Sequence, residues 1–208
     1  MMDGRGFRAS AEQLAITIRS KLGLTPFERL DTQTLAAYLG ILVVSLCELR
    51  NWGANETSIR HFVGEASGDF STLTLRVGTA ILLAFNPCHA AVHRPLVLTQ
   101  AMSHVILRHR PGPLVGVGRC RRWTRADEGA ASHLARALLI PEQAILRYTK
   151  LGTTSFSAAT EMGVDVRLFD VRMGQAGICS SILCQDTTWP SATSIVGCSG
   201  YCLEDCAV

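Results

Sequence analysis

The sequence predicts an α+β fold, in which a small mixed sheet of about three strands packs against helices. Apolar residues recur at spacings of three and four, typical of helices, before residue 40 and again after residue 94. Runs rich in β-forming residues at 41–44, 71–75 and 80–85 predict the strands. The stretch 51–68 is polar and contains glycine, so we expect a loop or an irregular hairpin there. Helices, then strands, then helices without internal repeats indicate the α+β class.

The composition is that of a globular protein. The chain has 208 residues, 48% of them hydrophobic and 18% charged, and its formal charge of +3 is too small to indicate nucleic-acid binding. No apolar run approaches the roughly 18 residues that a membrane span needs. The first residues contain no apolar signal-peptide core. We therefore expect a cytoplasmic protein without membrane contact, whose cysteines are reduced.

A change in composition near Gly177 predicts two regions. Residues 1–177 are expected to form the folded domain, and residues 178–208 a divergent, Cys-rich tail that is poorly ordered. No Lys or Arg occurs from residue 175 onward, and five of the eight cysteines lie there: Cys179, Cys184, Cys198, Cys202 and Cys206. The spacing of the last three leaves a small structural zinc site open as an alternative.

The central predicted element is the helix that begins at Arg94. Leu98, Met102 and Val105 place one apolar stripe on this segment, and Pro95 suits its first turn. A zinc peptidase carries His-Glu-x-x-His on such a helix, because two His four residues apart point the same way and the Glu activates water. Here the five positions read Gln-Ala-Met-Ser-His, from 100 to 104.

Several segments, taken in order, carry a family resemblance. Residues 30–44 contain a helix followed by a strand, residues 70–75 a second strand, and residues 81–86 a strand that ends in Asn. Arg94 is the first residue of the central helix, Leu-Ala-Arg-Ala-Leu-Leu-Ile-Pro occupies 134–141, and a closing helical segment spans 158–177. Together these segments resemble the ImmA/IrrE family of zinc metallopeptidase domains. The resemblance covers about residues 10–177 and implies a zincin-like fold that binds zinc and acts in the cytoplasm on helix-turn-helix repressors.

The resemblance also implies where the site residues fall. The first His of the family falls on Gln100, the general-base Glu on Ala101, the second His on His104 and the third ligand, a Glu, on Ala130. Only His104 can bind a metal, so we predict no catalytic residue, no bound zinc and no peptidase activity. His133 shares the expected face of Ala130 and is the substitute ligand that we considered. Glu128 and His109 are expected to point away from the pocket.

Two alternatives remain open at the level of sequence. The first is an active zinc peptidase with relocated ligands, such as His104, His133 and a cysteine. The second is a module that binds DNA or a regulator through the basic residues Arg119, Arg121, Arg122 and Arg125. The favoured partner is a helix-turn-helix transcriptional regulator, with nucleic acid not expected as a direct ligand. We interpret His89 and His93 as loop residues at the pocket entrance.

Overall fold

The computed structural model describes residues 4–64, 71–110, 114–115, 120–121, 123–178 and 200–202. Within them lie eight α-helices and a 3₁₀ helix. The α-helices are α1 (Gly4–Lys21), α2 (Thr32–Tyr38), α3 (Glu56–Val63), α4 (Arg94–Ile106), α5 (Arg125–Leu139), α6 (Glu142–Lys150), α7 (Ser155–Met162) and α8 (Val166–Gln175), and the 3₁₀ helix is Leu46–Trp52. The strands are β1 (Ile41–Ser45), β2 (Thr72–Val77), β3 (Ala80–Phe85), β4 (Leu114–Val115), β5 (Cys120–Arg121) and β6 (Gly200–Cys202). The predicted α+β class is confirmed.

The sheet is mixed, as the sequence predicts, and β3 lies between β1 and β2. β3 runs parallel to β1, with Ile81 opposite Ile41, and antiparallel to β2, with Phe85 opposite Thr72. The short strands β6, β5 and β4 continue the sheet beyond β2 in that order. Leu83 and Ala84 of β3 are buried. A continuous apolar strand of this kind fits a position with both faces covered.

The expectation of a loop or hairpin at 51–68 is wrong for the part that the structure describes. The 3₁₀ helix and α3 occupy most of this stretch up to residue 64, and each begins at a side-chain cap, Ser45 and Asn55. Leu49 and Ile59 project from these helices into a second apolar cluster against Leu82 of β3. The few apolar residues of this stretch lie at helical spacing, but the polar residues between them hide that pattern.

The main core forms around α5. Leu134, Ala135 and Leu138 on this helix are completely buried, and α5 packs between α1 and α4. A buried arginine joins α1 to the end of α5: Arg19 donates from Nη1 to the carbonyl of Leu138 at 2.6 Å. Its other nitrogens donate to the carbonyls of Thr25 and Glu28. The buried guanidinium joins the carbonyl of Leu138 on α5 to carbonyls of the turn that follows α1, so it fixes α5 relative to α1.

A similar contact fixes the residues after α5. Arg172 of α8 donates from Nε and Nη2 to the carbonyl of Ile140, at 2.9 and 2.8 Å, and also pairs with Glu12 of α1 at 2.5 Å. Glu12 in turn accepts a hydrogen bond from the amide of Glu142, at the first turn of α6. A carboxylate is favoured at a helix N-terminus. Together these contacts tie α1, α6 and α8 to the end of α5.

None of the helices in the described part of the chain is long and apolar enough to cross a membrane. In the tail, the structure describes the backbone of β6 but none of the five cysteine side chains. The division at residue 177, the predicted poor order of the tail and the zinc-site alternative therefore stay predictions.

Candidate functional site

The central helix forms where the sequence predicts it, and the entry to it is well defined. Arg94 donates from Nε to the carbonyl of His89 at 3.2 Å and from Nη2 to the carbonyl of Pro87 at 2.9 Å. Its guanidinium also lies 5.6 Å from the centre of the Phe85 ring. These contacts hold the loop after β3 against the first turn of α4. Pro95 occupies that turn, as expected.

One face of α4 carries Gln100 and His104 toward the first turn of α5. His104 is only 1% exposed, and its Nε2 lies 3.5 Å from Oε2 of Glu128. Gln100 donates from its amide nitrogen to the same carboxylate oxygen at 3.0 Å. The Nε2 atom of His104 is buried and makes no hydrogen bond within normal geometry in the part of the chain described. Two side chains four residues apart on α4 therefore converge on one carboxylate of α5.

The expectation that Glu128 points away is wrong. The buried stripe of α5 runs through Ala131, Leu134 and Leu138, and Glu128 lies three residues before Ala131 on the same stripe. Ala130 falls beside this stripe and is half-buried. The register of the apolar stripe, and not the distance to Pro141, decides which residue faces α4. Glu128 therefore faces His104 of α4, whereas the family resemblance led us to expect Ala130 there.

The expectation for His109 is also wrong. It assumed that the helix continues through residue 109, but α4 ends at Ile106 and Arg108 adopts a left-handed conformation with φ of 53°. This turn directs the chain back, so that the His109 amide donates to the carbonyl of His104 at 3.0 Å. The side chains also meet, with 3.0 Å between the two Nδ1 atoms. A left-handed residue ends many helices, although glycine usually fills that position.

His109 extends the contacts of His104 to a second carboxylate. His109 Nε2 lies 3.7 Å from Oδ1 of Asp127, and the ring of Trp123 stacks on His104 with 4.1 Å between centroids. We call His104, His109, Trp123, Asp127 and Glu128 the histidine cluster. Sequence analysis missed four of its five members as site residues. The apolar stripe of α5 could have found Glu128, but nothing local to the sequence indicates the turn at Arg108.

The start of α5 holds the two carboxylates in place. Thr124 caps this helix, because its hydroxyl oxygen accepts a hydrogen bond from the Asp127 amide at 3.1 Å. The same hydroxyl donates to the Asp127 carboxylate at 2.7 Å. Asp127 and Glu128 thus lie in the first turn, where the helix dipole stabilises negative charge. The cap and the first turn of α5 thus hold both carboxylates next to the imidazoles of the cluster.

The contact between the two imidazoles restricts their protonation. Two Nδ1 atoms that share one hydrogen bond hold one proton between them, so one ring donates and the other accepts. Burial lowers the pKa of His109, and the charge of His104 lowers it further, while Asp127 and Glu128 act in the opposite direction. The fully protonated pair would lose the hydrogen bond and bring two positive charges together.

The structure does not bring His133 into this cluster. His133 lies five residues after Glu128, roughly 140° around the helix, and lines a cavity of about 360 Å³ whose other walls include Glu12 and Arg172. Burial lowers the pKa of His133, with further contributions from Arg136 and Arg8. These neighbours lie on the opposite side of α5, so His133 does not face the site that His104 occupies.

The donor set does not fit a catalytic zinc. Such a site needs three protein ligands and an open position, whereas His104 and Glu128 supply two and Gln100 presents an amide nitrogen to the carboxylate. Ala101, which the family resemblance places at the general-base position, is 3% exposed and packs in the core. Across the described residues, no group of three or more His, Cys, Asp or Glu side chains is arranged to hold a metal ion.

The predicted basic residues and the loop histidines lie outside the histidine cluster, and some of them lie outside the residues that the structure describes. Arg119 and Arg122 lie outside the described residues, as does the side chain of Arg121, whereas Arg125 is exposed at the start of α5. The proposed basic surface therefore stays a prediction. His93 lies just before α4, with Nδ1 3.8 Å from Oδ2 of Asp165, and His89 contributes its carbonyl to Arg94.

Comparison of the chain with protein-family models, with curated proteins and with solved structures finds no match. The resemblance to the ImmA/IrrE family and the zincin-like fold therefore stay predictions from the residues.

Proposed function

We propose that this chain is a non-hydrolytic relative of the ImmA/IrrE-type peptidase domains, and that it acts by binding a transcriptional regulator of the helix-turn-helix class. The observation that carries the proposal is that only two zinc-competent atoms meet at Nε2 of His104: this nitrogen itself and Oε2 of Glu128, to which Gln100 donates. His109 contacts the other ring nitrogen of His104, Nδ1. One zinc-competent group on α4 and one on α5 are fewer than the three protein ligands of a catalytic zinc.

The chemistry of peptide hydrolysis supports the non-hydrolytic part of this proposal. A zinc peptidase needs a general base that accepts a proton from water as it attacks the carbonyl. Position 101 carries a methyl group that is buried in the core. Glu128 is the carboxylate near His104, but it already accepts a hydrogen bond from Gln100. Neither position offers a free base beside an activated water.

The class of partner comes from the family resemblance alone. Loss of hydrolysis leaves binding as the part of the family's action that the chain retains. Arg125, exposed beside the histidine cluster at the start of α5, offers a positive charge to such a partner.

The proposal is tested with the full-length, reduced protein in two parallel assays. Zinc titration by calorimetry is expected to give no stoichiometric uptake that depends on His104, with His104→Ala as the matched control. Helix-turn-helix regulators from the same genome are then incubated with the protein and followed by both mass spectrometry and biolayer interferometry. We expect saturable binding with no cleavage. Cleavage abolished by His104→Ala would refute the non-hydrolytic assignment, and the absence of any binding would refute the regulatory one.

A further inference from the structure

A groove on the outer side of α6 forms a second surface with the properties of a binding site. It is an open groove of about 510 Å³ between α6 and the connection that follows α1. We call it the α6 groove. Its lining residues are Phe27, Gln143, Leu146, Arg147, Lys150 and Leu151.

The floor of the α6 groove is apolar and exposed. α6 buries Ala144, Ile145 and Tyr148 on its inner face. On the outer side, Leu146 is 43% exposed and Leu151 is 66% exposed. Single exposed leucines are common on protein surfaces, but apolar residues that line one concave surface mark an interaction site more often than isolated ones do.

Two cations border this apolar floor. The guanidinium of Arg147 lies 4.6 Å from the centre of the Phe27 ring, and this stacking fixes the ring as one wall of the groove. Neither Arg147 nor Lys150 forms an ion pair with a carboxylate among the described residues. Glu28, next to Phe27, accepts a hydrogen bond from the amide of Thr25. The rim of the groove thus keeps a positive charge that its own acidic neighbour does not pair with.

We propose that the α6 groove binds an amphipathic segment of a partner protein that presents leucine-like side chains on one face and carboxylates beside them. The apolar side chains would cover Leu146 and Leu151, and the carboxylates would pair with Lys150 and Arg147. This arrangement corresponds to the recognition of a helix in a groove, in which apolar anchors recur at spacings of three and four. The proposal concerns a surface separate from the histidine cluster and does not depend on the proposed function.

The test uses a defined probe in place of an unknown partner. A fluorescein-labelled, acetylated and amidated peptide of 14 residues, with Leu at positions spaced by three and four and Glu at most others, is titrated with the full-length protein by fluorescence anisotropy. A matched peptide carries Lys in place of each Glu. We expect saturable binding of the acidic peptide and at least about tenfold weaker binding of the basic one, because the rim is cationic. Raising the salt concentration should weaken binding of the acidic peptide.

Matched variants locate the binding on the protein. Leu151→Ser should weaken binding of the acidic peptide by about tenfold or more, since an apolar anchor is lost. Lys150→Glu should weaken it by roughly twofold to fivefold, the upper part of the range for an exposed charge pair. Two controls should leave it unchanged: Phe156→Ser, which removes a side chain that is 72% exposed outside the groove, and Arg167→Glu, which reverses an exposed charge on α8.

Three results would overturn the proposal. The first is no saturable binding of the acidic peptide. The second is binding that the control variants weaken as much as the groove variants do. The third is a dimer in sedimentation velocity that Leu151→Ser dissociates, because the groove would then be covered by a second copy of the chain.

Discussion

The two-ligand arrangement predicts that one substitution creates a zinc site. In Gln100→His, the new imidazole lies four residues before His104, so both rings point from the same face of α4 toward Glu128. Ligand atoms of a tetrahedral zinc, each at about 2.0–2.2 Å from the metal, lie roughly 3.3–3.6 Å apart. The distance between His104 Nε2 and Glu128 Oε2 is 3.5 Å. A metal can therefore contact both atoms with little movement of either helix.

The size of the effect follows from linkage between binding and folding. If free zinc exceeds the dissociation constant of the variant by about 1,000-fold, the folded state gains roughly 4 kcal/mol. For a domain of this size, each kcal/mol raises the melting temperature by about 2–4 °C, so zinc should raise the melting temperature of Gln100→His by roughly 8–16 °C. The unsubstituted protein, with two ligands, should show a much smaller shift.

Differential scanning fluorimetry with and without zinc measures this shift, and calorimetry gives the stoichiometry. Adding Glu128→Ala to Gln100→His should abolish the shift, whereas adding Ala130→Glu should not be needed to obtain it. If Gln100→His gains zinc binding only together with Ala130→Glu, then Ala130 and not Glu128 faces the pocket. That result would refute the arrangement of α4 and α5 on which the reasoning rests.

Three further predictions follow from single contacts. Arg19→Met should lower the free energy of unfolding, measured in urea, by about 3 kcal/mol or more, because three backbone carbonyls lose the hydrogen bonds of the guanidinium. A loss below about 1 kcal/mol would mean that Arg19 does not join α1 to α5. Thr124→Ala should lower the free energy of unfolding by about 1 kcal/mol, the usual value of an N-terminal cap, because the two hydrogen bonds between Thr124 and Asp127 are lost. Thr124→Ser is the control that keeps the cap. Burial and the charge of His104 lower the pKa of His109, so below about pH 6.5 the unfolded state binds more protons at this residue than the folded state does. His109 therefore opposes folding at acidic pH. Between pH 7 and 5, the free energy of unfolding of His109→Gln, measured by urea titration at each pH, should fall less than that of the parent; equal losses would contradict this.

The sequence predicts the elements of the fold better than it predicts the partners of the site residues. Periodicity places α4 and α5, and β-forming runs place the three main strands within a residue or two. The position of Glu128 could have been predicted, since the stripe through Ala131, Leu134 and Leu138 already indicates the buried face of α5. The family resemblance instead placed the third ligand eleven residues before Pro141, at Ala130. Within a helix, the packed stripe is the better guide to which side chain faces a neighbouring helix.

The position of His109 could not be predicted from the sequence in this way. Its orientation depends on where α4 ends, and that end depends on one residue, Arg108, in a left-handed conformation. Helix ends are hard to place from sequence, and a non-glycine residue at this position gives no signal. An error of one turn at a helix end reverses the direction of the next side chain. Site residues just beyond a helix terminus are therefore the least predictable part of this fold.

The contacts of the histidine cluster explain how a pocket with two metal-competent groups is stable without a third. A buried carboxylate and a buried imidazole each cost free energy unless polar partners replace water. Gln100 donates to Glu128, and His109 shares a proton with His104. Gln100 stands where the expected zinc motif has its first His, and His109 lies outside that motif. Gln100→His should therefore stabilise the protein only when zinc is present, because without metal it removes the amide donor and adds a third imidazole to the same small volume.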